Sequence, residues 1–452
     1  MLDLRPGGVH PQMPSVQQLD AAIIPMLARM EHVGMQIDRG HYEEFAGYLE
    51  LRLDEIRTEL ADLVGVKNPN SPKVGDVLFR QLGLPVIKLT KSKTREAIDD
   101  DVLGVLKGQL LKRPKDDAIG QLAIQVINCI TDYREHQKAL TTYVQPFLEK
   151  SRRDDRLHST IKYTQSVSRL SSADPNLQNL PNPDNSPFGD DPIRNLGLRM
   201  RNGIVARPGF RLISGDFSQI EIVVGAHESQ DSNLLQIIRD GLDPHKFCAS
   251  KMFGIPYADV PKPLRTQTKP LNFGAFYDLS PMGLQLQYAT MPSGAIEKTE
   301  VECKAILDWY FSEFAPGVRA WKDRVREKAR VDGFVRSSSG RIRWMPGLRS
   351  DIKKVREAAK RECTNFPIQE FAGAILRKAM AIIWEDVLPA LWSMGASIEC
   401  IMTVHDELIF ECEEPWVELA VPMIVAAMQY AVKLTVPIKV GVGVADRWGL
   451  LK

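Results

Sequence analysis

The chain of 452 residues is long enough for two or more domains, at about 150 residues for each. A hydrophobic content of 44% and a charged content of 25% are ordinary for a globular protein, and no apolar run approaches the roughly 18 residues of a membrane span, which argues against a membrane protein. The net charge of +1 gives no overall basicity, but a polyanion responds to the local field, so nucleic acid binding is not excluded.

Cysteine usage and the N-terminal composition indicate the compartment. The six cysteines lie far apart without a Cys-x-x-Cys pair, which predicts reduced, buried thiols and argues against a zinc site or a disulfide framework. Residues 1–15 are rich in proline and glycine and lack an apolar core, so we expect a flexible N-terminus and no signal peptide. Both features favour a cytoplasmic protein, in the host cytoplasm if the chain is viral.

From residue 16 to about residue 150 the apolar pattern is mainly helical. Apolar side chains recur at helical spacing, as in Leu19, Ile23, Leu27 and Met30. A basic stretch at residues 88–95 interrupts these helices. It suits a solvated loop or, alternatively, the tip of a helical hairpin that clamps a DNA backbone.

The next segments alternate between strands and loops. Residues 158–163 favour a strand, and residues 168–181 are a loop dense in Ser, Asn, Gln and Pro, with more neutral hydrogen-bonding groups than a linker needs. A further strand from residue 210 ends near Asp216, where a helix is predicted to begin. A carboxylate in this position can simply cap the helix, or it can belong to a site.

A second helix carries an unusual face. Arg265, Lys269, Phe273 and Tyr277 are spaced by four residues, so they lie along one side of a helix. Two cations followed by two aromatic rings suit a ligand that is polyanionic at one end and flat at the other, such as a nucleoside triphosphate. The alternative is a solvent-facing amphipathic helix.

The last part of the chain contains a basic segment, a predicted hairpin and a predicted strand. Residues 319–362 hold 15 lysines and arginines against six acidic residues, a local field that favours phosphate backbones. Residues 401–411 predict a β-hairpin with His405, Asp406 and Glu407 at its tip. This tip lacks the glycine that tight hairpin turns prefer, so it is either a plain polar turn or part of a site. Residues 437–444 predict a last strand.

Together these stretches resemble a known family. Residues 216–221, the helix with Arg265 to Tyr277, and residues 405–407 resemble motifs A, B and C of family A DNA polymerases, the bacterial DNA polymerase I group. Residues 169–181 and 365–369 resemble further stretches of that family. The similarity runs in order from about residue 20 to the C-terminus, and an origin in a phage is one interpretation of the compact length.

The resemblance implies an α+β right-hand fold with an antiparallel-sheet palm, helical fingers and a helical thumb. The implied units are a thumb at 16–155, a palm at 156–227 and 343–452, and fingers at 228–342. It also implies template-directed transfer of dNMP from dNTP to a primer 3′-hydroxyl, with two Mg²⁺ ions for which Mn²⁺ can substitute.

The resemblance also assigns residues to roles. The implied metal ligands are Asp216, Asp406 and the carbonyl group of Phe217, and the catalytic set adds Glu407 and Lys269. The implied dNTP contacts are Arg265, Lys269, His245, Phe273, Tyr277, Glu221 and Gln219, with Glu221 closing the pocket beside the sugar 2′-carbon. The implied DNA contacts are Arg169, Asn179, Gln369, His405 and Arg361.

Some residues depart from the family pattern. Pro270 lies inside the motif B helix and should kink it or disturb its start, Asp278 stands where glycine is usual, and Val223 replaces a customary arginine. Because the helices begin almost at the first residue, we expect no proofreading domain and no 5′-nuclease in this chain. The partners would be primer-template DNA, dNTP and, for proofreading or processivity, a separate exonuclease or processivity factor.

Two other functions remain open on the sequence. One is a related polymerase with a preference for RNA templates or NTP substrates, which Glu221 opposes. The other is a catalytically silent DNA-binding protein of the replisome, which the presence of both Asp216 and Asp406 opposes.

Overall fold

The computed structural model describes residues 8–90, 92–114, 116–163, 169–183, 186, 188–189, 191–289, 291 and 296–451. Parts of the sequence predictions therefore lie outside the described residues. Among them are positions 1–7 of the predicted flexible N-terminus, Lys91 of the basic stretch and Ser168 of the family-like polar loop.

The described residues combine helices with small antiparallel sheets, which confirms the predicted α+β class. The α-helices are α1 (Val16–Val33), α2 (Arg39–Val64), α3 (Lys73–Asp76), α4 (Asp100–Leu110), α5 (Ala118–Lys138), α6 (Gln145–Lys150), α7 (Leu196–Asn202), α8 (Ile220–Ser229), α9 (Ser232–Arg239), α10 (Pro244–Phe253), α11 (Lys262–Gly274), α12 (Pro281–Ala289), α13 (Glu300–Trp309), α14 (Pro316–Asp332), α15 (Lys353–Ile382), α16 (Leu388–Ser393) and α17 (Val417–Gln429). The strands are β1 (Met35–Gln36), β2 (Arg156–Leu157), β3 (Thr160–Tyr163), β4 (Leu170–Ala173), β5 (Phe210–Phe217), β6 (Phe334–Arg336), β7 (Ile342–Trp344), β8 (Ile398–Val404), β9 (Glu407–Glu413) and β10 (Val440–Ala445). None of the described helices combines the length and the apolar composition that crossing a bilayer requires.

A four-stranded antiparallel sheet in the order β10-β5-β9-β8 lies at the centre. Its strands alternate their side chains between two cores, as the period of two requires. Ile213, Leu408 and Phe410 face one core, while Leu212 and Ile409 face the other. The sheet is therefore covered on both faces, which accounts for the nearly continuous apolar sequences of β5, β8 and β9.

The first core is built around the long helix α15, which packs against α1, α8, α14 and α17. Helix α15 begins at Lys353 and continues through Pro367 without a break. Proline removes one backbone donor and disfavours a helix interior. Here Pro367 is itself buried, and the packing along α15 keeps the helix continuous.

The second core contains α2, α4 and α5 and covers the other face of the sheet. Helix α1 does not share this core. Its buried residues Leu19, Ile23, Met26 and Met30 pack with the first core, mainly against α15 and β8. Each such side chain contributes about 1.5–3 kcal/mol of burial free energy. The helix predicted to open the thumb thus packs with the elements predicted as palm.

The segment before α1 is held against the first core. His10 is buried, its backbone N–H donates to Ser338 O at 2.7 Å, and its Nε2 lies 3.0 Å from Lys433 O. Lys378 Nζ donates to Gln12 O at 2.5 Å. For residues 10–13 these contacts differ from the flexible segment that the sequence predicts, because local composition cannot show a docking surface that comes from the C-terminal half.

Candidate active site

The sheet brings Asp216 and Asp406 to the same edge. Asp216 is the penultimate residue of β5, and Asp406 lies in the turn between β8 and β9. Strands β5 and β9 are neighbours, with Asp216 opposite Glu407, and the Phe217 N–H donates to Asp406 O at 3.3 Å. Two carboxylates that are far apart in sequence therefore become neighbours through strand pairing alone.

The hairpin tip is shorter than predicted. Only His405 and Asp406 form the turn, while Glu407 is already the first residue of β9 and accepts a hydrogen bond from Ser214. His405 takes the left-handed conformation at φ +54°, which costs about 1–2 kcal/mol for a residue other than glycine. From the polar loop, Gln178 Nε2 donates to Thr403 O at 2.9 Å and supports the turn.

Asp216 does not cap the helix that follows it, so that alternative is wrong. Helix α8 begins at Ile220, and Gln219 is its N-cap residue, in a left-handed conformation at φ +55°. The Asp216 side chain is exposed at the sheet edge, whereas the Phe217 side chain is buried in the first core. Only the backbone of Phe217 can therefore reach the edge.

Negative charge is concentrated at this edge. Burial raises the pKa of Asp406 to about 6; Arg169 opposes the shift, while Glu221 and Asp216 add to it. A cation bound beside Asp406 would relieve this cost. Two carboxylates also suit Mg²⁺, which is commonly held by one or two carboxylates together with substrate phosphates and water. Within the described residues no group of three or more His, Cys, Asp or Glu side chains is placed to hold a metal ion.

Glu221 joins two groups that the sequence treats separately. Arg169 donates to one carboxylate oxygen of Glu221, and the Tyr277 hydroxyl donates to the other. Gln369 makes a side-chain hydrogen bond with Tyr277. Although burial opposes its charged form, Glu221 and Asp406 raise the pKa of Arg169. Arg169 and Gln369, predicted to contact DNA, thus adjoin Glu221 and Tyr277, predicted to contact the nucleotide.

The motif B helix is shorter than its spacing predicts. Helix α11 runs through Pro270 without a break but ends at Gly274, so Tyr277 lies in the turn that follows. Arg265, Lys269 and Phe273 are at least partly exposed, while Thr268, Leu271 and Asn272 are buried. The spacing correctly places Arg265, Lys269 and Phe273 on the outer face of α11. Tyr277 instead reaches the site from the turn after this helix.

Asp243 is a residue that sequence reasoning missed. It accepts from Arg265 at 2.6 Å and from Gln219 Nε2 at 3.0 Å, and it also caps α10 through Lys246 N at 2.7 Å. The available signal was an aspartate directly before a proline at a helix start, which indicates a cap but not its partners. Asp243 holds the guanidinium group of Arg265 at the side of the outer face of α11.

His245 lies beneath this face. It is buried, its ring centroid is 5.1 Å from that of Phe273, and its carbonyl accepts from the Thr268 hydroxyl at 2.7 Å. Burial lowers the pKa of His245 to about 4, so the ring is neutral near pH 7. Its Nδ1 atom has no hydrogen-bond partner among the described residues. The neutral ring of His245 packs against Phe273, and its predicted contact with the nucleotide stays a prediction.

The predicted DNA contacts do not form one cluster. His405 is exposed at the hairpin tip, and burial, with Arg169 and Arg201, lowers its pKa. Asn179 is exposed, and its carbonyl accepts from the Tyr143 hydroxyl at 2.7 Å. Arg361 is exposed on α15, about 12 Å along the helix from Gln369 at a rise of about 1.5 Å per residue. Arg361 therefore lies apart from Gln369, whereas His405 lies near enough to Arg169 to be affected by its charge.

The chain was compared with known proteins. Residues 39–450 match the family model described as DNA polymerase family A. Thermostable DNA polymerase I of Thermus filiformis is 34% identical over 437 residues, which cover 96% of this chain and 48% of that protein. DNA polymerase I of Pseudomonas aeruginosa is 34% identical over 442 residues, covering 95% and 44%. The chain thus spans about half the length of the curated relatives it matches.

A solved structure is also similar. It is the POL domain of Pol1 from M. smegmatis in complex with DNA primer-template and dNTP, with a TM-score of 0.83 and 30% sequence identity. The match covers 96% of this chain and 70% of that chain.

Proposed function

The chain belongs to DNA polymerase family A, and from this premise we propose that it adds dNMP from dNTP to a primer 3′-hydroxyl under the direction of a DNA template. The observation that carries the proposal is the convergence of Asp216 and Asp406 at one sheet edge, close to Glu221. Joining a 3′-oxygen to an α-phosphorus is a phosphoryl transfer, in which positioning and charge stabilisation supply most of the catalysis.

Asp216, Asp406 and the carbonyl group of Phe217 would hold two Mg²⁺ ions, or Mn²⁺ in their place. Bound there, the ions would activate the 3′-hydroxyl and stabilise charge on the leaving pyrophosphate. The carboxylates contribute by their placement, since both are fixed by the pairing of β5 with β9. Glu407 lies behind them in β9, accepts from Ser214 and keeps the hairpin in register with β5.

The outer face of α11 would bind the triphosphate. Arg265 presents a planar group with several donors for the β- and γ-phosphates, and Asp243, which also accepts from Gln219, orients it from the side. Lys269 is exposed one turn further on and can donate a proton to the pyrophosphate as it leaves. Phe273 would pack on the sugar and base, with His245 supporting its ring from below.

Glu221 would select deoxyribose. Both of its carboxylate oxygens are engaged, one by Arg169 and the other by Tyr277, so the side chain is fixed in place. A ribose 2′-hydroxyl would have to displace one of these contacts, whereas a deoxyribose would not. Because Arg169 contacts Glu221 and Gln369 contacts Tyr277, both side chains would also lie beside the primer end. The minor-groove acceptors there are common to all base pairs.

The remaining assignments follow the family fold. We place the palm on the central sheet, the fingers at about 228–342 and the thumb on α2 to α6, with DNA passing Asn179, His405 and Arg361. We further propose that the protein works in the cytoplasm, consistent with six cysteines that are all buried and unpaired. A separate exonuclease or processivity factor would act as an additional partner.

Primer extension by the purified chain tests the proposal. We expect Mg²⁺-dependent extension with dNTP on a DNA template, and an Asp216→Ala variant should lose at least about 100- to 1,000-fold in rate. Glu327→Gln, at an exposed position on α14 whose carboxylate pairs with Arg330, is the matched control. Binding of primer-template without extension would instead support a silent DNA-binding protein. Faster extension with NTP, or on an RNA template, would support the related polymerase with that preference.

A further inference from the structure

The turn that follows α11 ends in a conformation that favours glycine. Asp278 has a φ of +55°, and the next N–H, that of Leu279, donates back to Gly274 O at 2.9 Å. This hydrogen bond and the left-handed residue before it are the usual way to close a helix, and glycine is the usual residue there. An aspartate in this position carries backbone strain, so its side chain should supply a compensating contact.

That contact comes from α14. The Asp278 carboxylate pairs with Lys322 through one oxygen and with Arg326 through the other, and the two cations lie one helical turn apart. Lys322 Nζ also donates to Ala275 O at 2.8 Å. Helix α14 therefore holds both ends of the turn formed by residues 275–278.

The two residues between these ends point in different directions. Phe276 is 2% exposed, and its ring lies so close to Gly225 of α8 that an added Cβ would stand 2.5 Å from it. Tyr277 extends the other way and donates to Glu221. Because Phe276 is fixed in the core and Ala275 and Asp278 are held by α14, little freedom remains for Tyr277.

We propose that the cluster of Asp278, Lys322 and Arg326 is a positioning device that holds Tyr277 on Glu221 and thereby sets sugar selection and dNTP affinity. The inference rests on the proposed function, which assigns Glu221 and Tyr277 to the sugar pocket. None of the three residues touches the nucleotide; they act through the turn.

The buried charge of Lys322 explains why loss of the Asp278 carboxylate should disturb the cluster. The side chain is 5% exposed and lies 5.0 Å from the centroid of the Phe311 ring. Burial lowers its pKa, while Asp278 opposes this shift. Without the Asp278 carboxylate, the buried charge of Lys322 would be offset by the Ala275 carbonyl group, the Phe311 ring and the field of Asp323, none of which replaces the direct ion pair, and the helix or the turn would have to move.

The first test is Asp278→Asn, because asparagine tolerates the left-handed conformation but lacks the charge. We expect the KM for dNTP to rise about tenfold with a smaller change in kcat, and the preference for dNTP over NTP to fall about tenfold, since small displacements in a site have effects of this size. Glu327→Gln, which breaks an exposed ion pair on the same helix, should leave KM and the preference unchanged. An Asp278→Asn enzyme with the KM and sugar preference of the wild type would overturn the inference.

A second set separates positioning from folding. Asp278→Gly relieves the backbone strain but removes both ion pairs, so we expect stability close to that of the wild type with the same loss of sugar preference. The double variant Lys322→Met with Asp278→Asn lacks both charges. It should unfold at a higher temperature than Asp278→Asn alone, while its preference for dNTP over NTP stays low. Recovery of the preference in the double variant would contradict the inference.

The two proposals fail in different ways. A wild-type chain that extends no primer with any nucleotide overturns the proposed function and this inference with it. A wild-type chain that extends primers, with Asp278 variants that keep the normal KM and sugar preference, overturns the positioning role alone.

Discussion

Two groups of carboxylates, one in the first core and one at the sheet edge with Asp216 and Asp406, differ in how their charge is compensated. In the first core, Glu370 is 0% exposed, pairs with Arg377 at 2.7 Å and with Arg341 at 3.3 Å, and accepts from the Ser339 hydroxyl. Asp20 extends this network to the same arginines, at 2.5 Å from Arg341. This group, which we call the buried network, is satisfied by the protein itself.

The sheet edge with Asp216 and Asp406, which we call the catalytic edge after its proposed role, is the opposite case. Asp406 has Arg169 as its nearby cation, and that guanidinium group donates to Glu221. Burial raises the pKa of Asp406, Arg169 opposes this shift, and the carboxylates of Glu221 and Asp216 add to it. The comparison teaches that burial of a carboxylate does not by itself mark a site, whereas buried and neighbouring carboxylates that share one cation point to one.

The largest expected effect separates stability from activity at the catalytic edge. In Asp406→Asn, primer extension should fall about 1,000-fold or more, because a ligand for the metal is lost. Its free energy of unfolding in EDTA at pH 8 should nevertheless rise by about 1–2 kcal/mol, since the pKa of Asp406 lies above its unfolded value and the folded state resists ionisation.

The sign of this effect can be checked with pH. The protonated carboxyl group is favoured in the fold, so its contribution is present below about pH 4 and is lost as the pH rises through about 6. Denaturant unfolding of both proteins should therefore give similar stabilities near pH 4 and a gap at pH 8. A gap that shrinks with rising pH would contradict the account.

The second effect is in the buried network, where a substitution should lower stability and leave activity nearly unchanged. Arg377→Met leaves Glu370 with fewer cations, and such a loss costs about 3–5 kcal/mol of unfolding free energy. Extension at a temperature where the variant is still folded should change little. Arg52→Gln, which breaks the exposed pair with Glu55, is the control and should cost less than about 1 kcal/mol. Equal costs at both positions would remove the distinction between the two groups.

The smallest effect concerns Glu221, which combines features of both groups. It lies at the catalytic edge but is compensated by Arg169 and Tyr277. In Glu221→Ala we expect the preference for dNTP over NTP to fall about 10- to 100-fold and the unfolding free energy to fall by about 1–2 kcal/mol. Single-turnover incorporation of matched dNTP and NTP measures the first quantity. A preference that survives the substitution would assign sugar selection to other residues.

The sequence by itself determined the elements that local periodicity controls. The helices before residue 150, the strand before Asp216 and the β8–β9 hairpin all follow from apolar spacing, and that spacing also places Arg265, Lys269 and Phe273 on one face. The order of three short motifs was sufficient for the family, because each motif depends only on neighbouring residues.

Only the tertiary structure decided which of these residues meet. Asp216 and Asp406 are joined by strand pairing, Arg169 and Gln369 are brought to Glu221 and Tyr277, and Asp243 reaches across to Arg265. The turn that follows α11, from which Tyr277 reaches the site, is joined to α14 by the ion pairs of Asp278 with two cations. Such contacts join residues that no periodicity relates, and charge compensation between them is a property of the folded arrangement rather than of the local sequence.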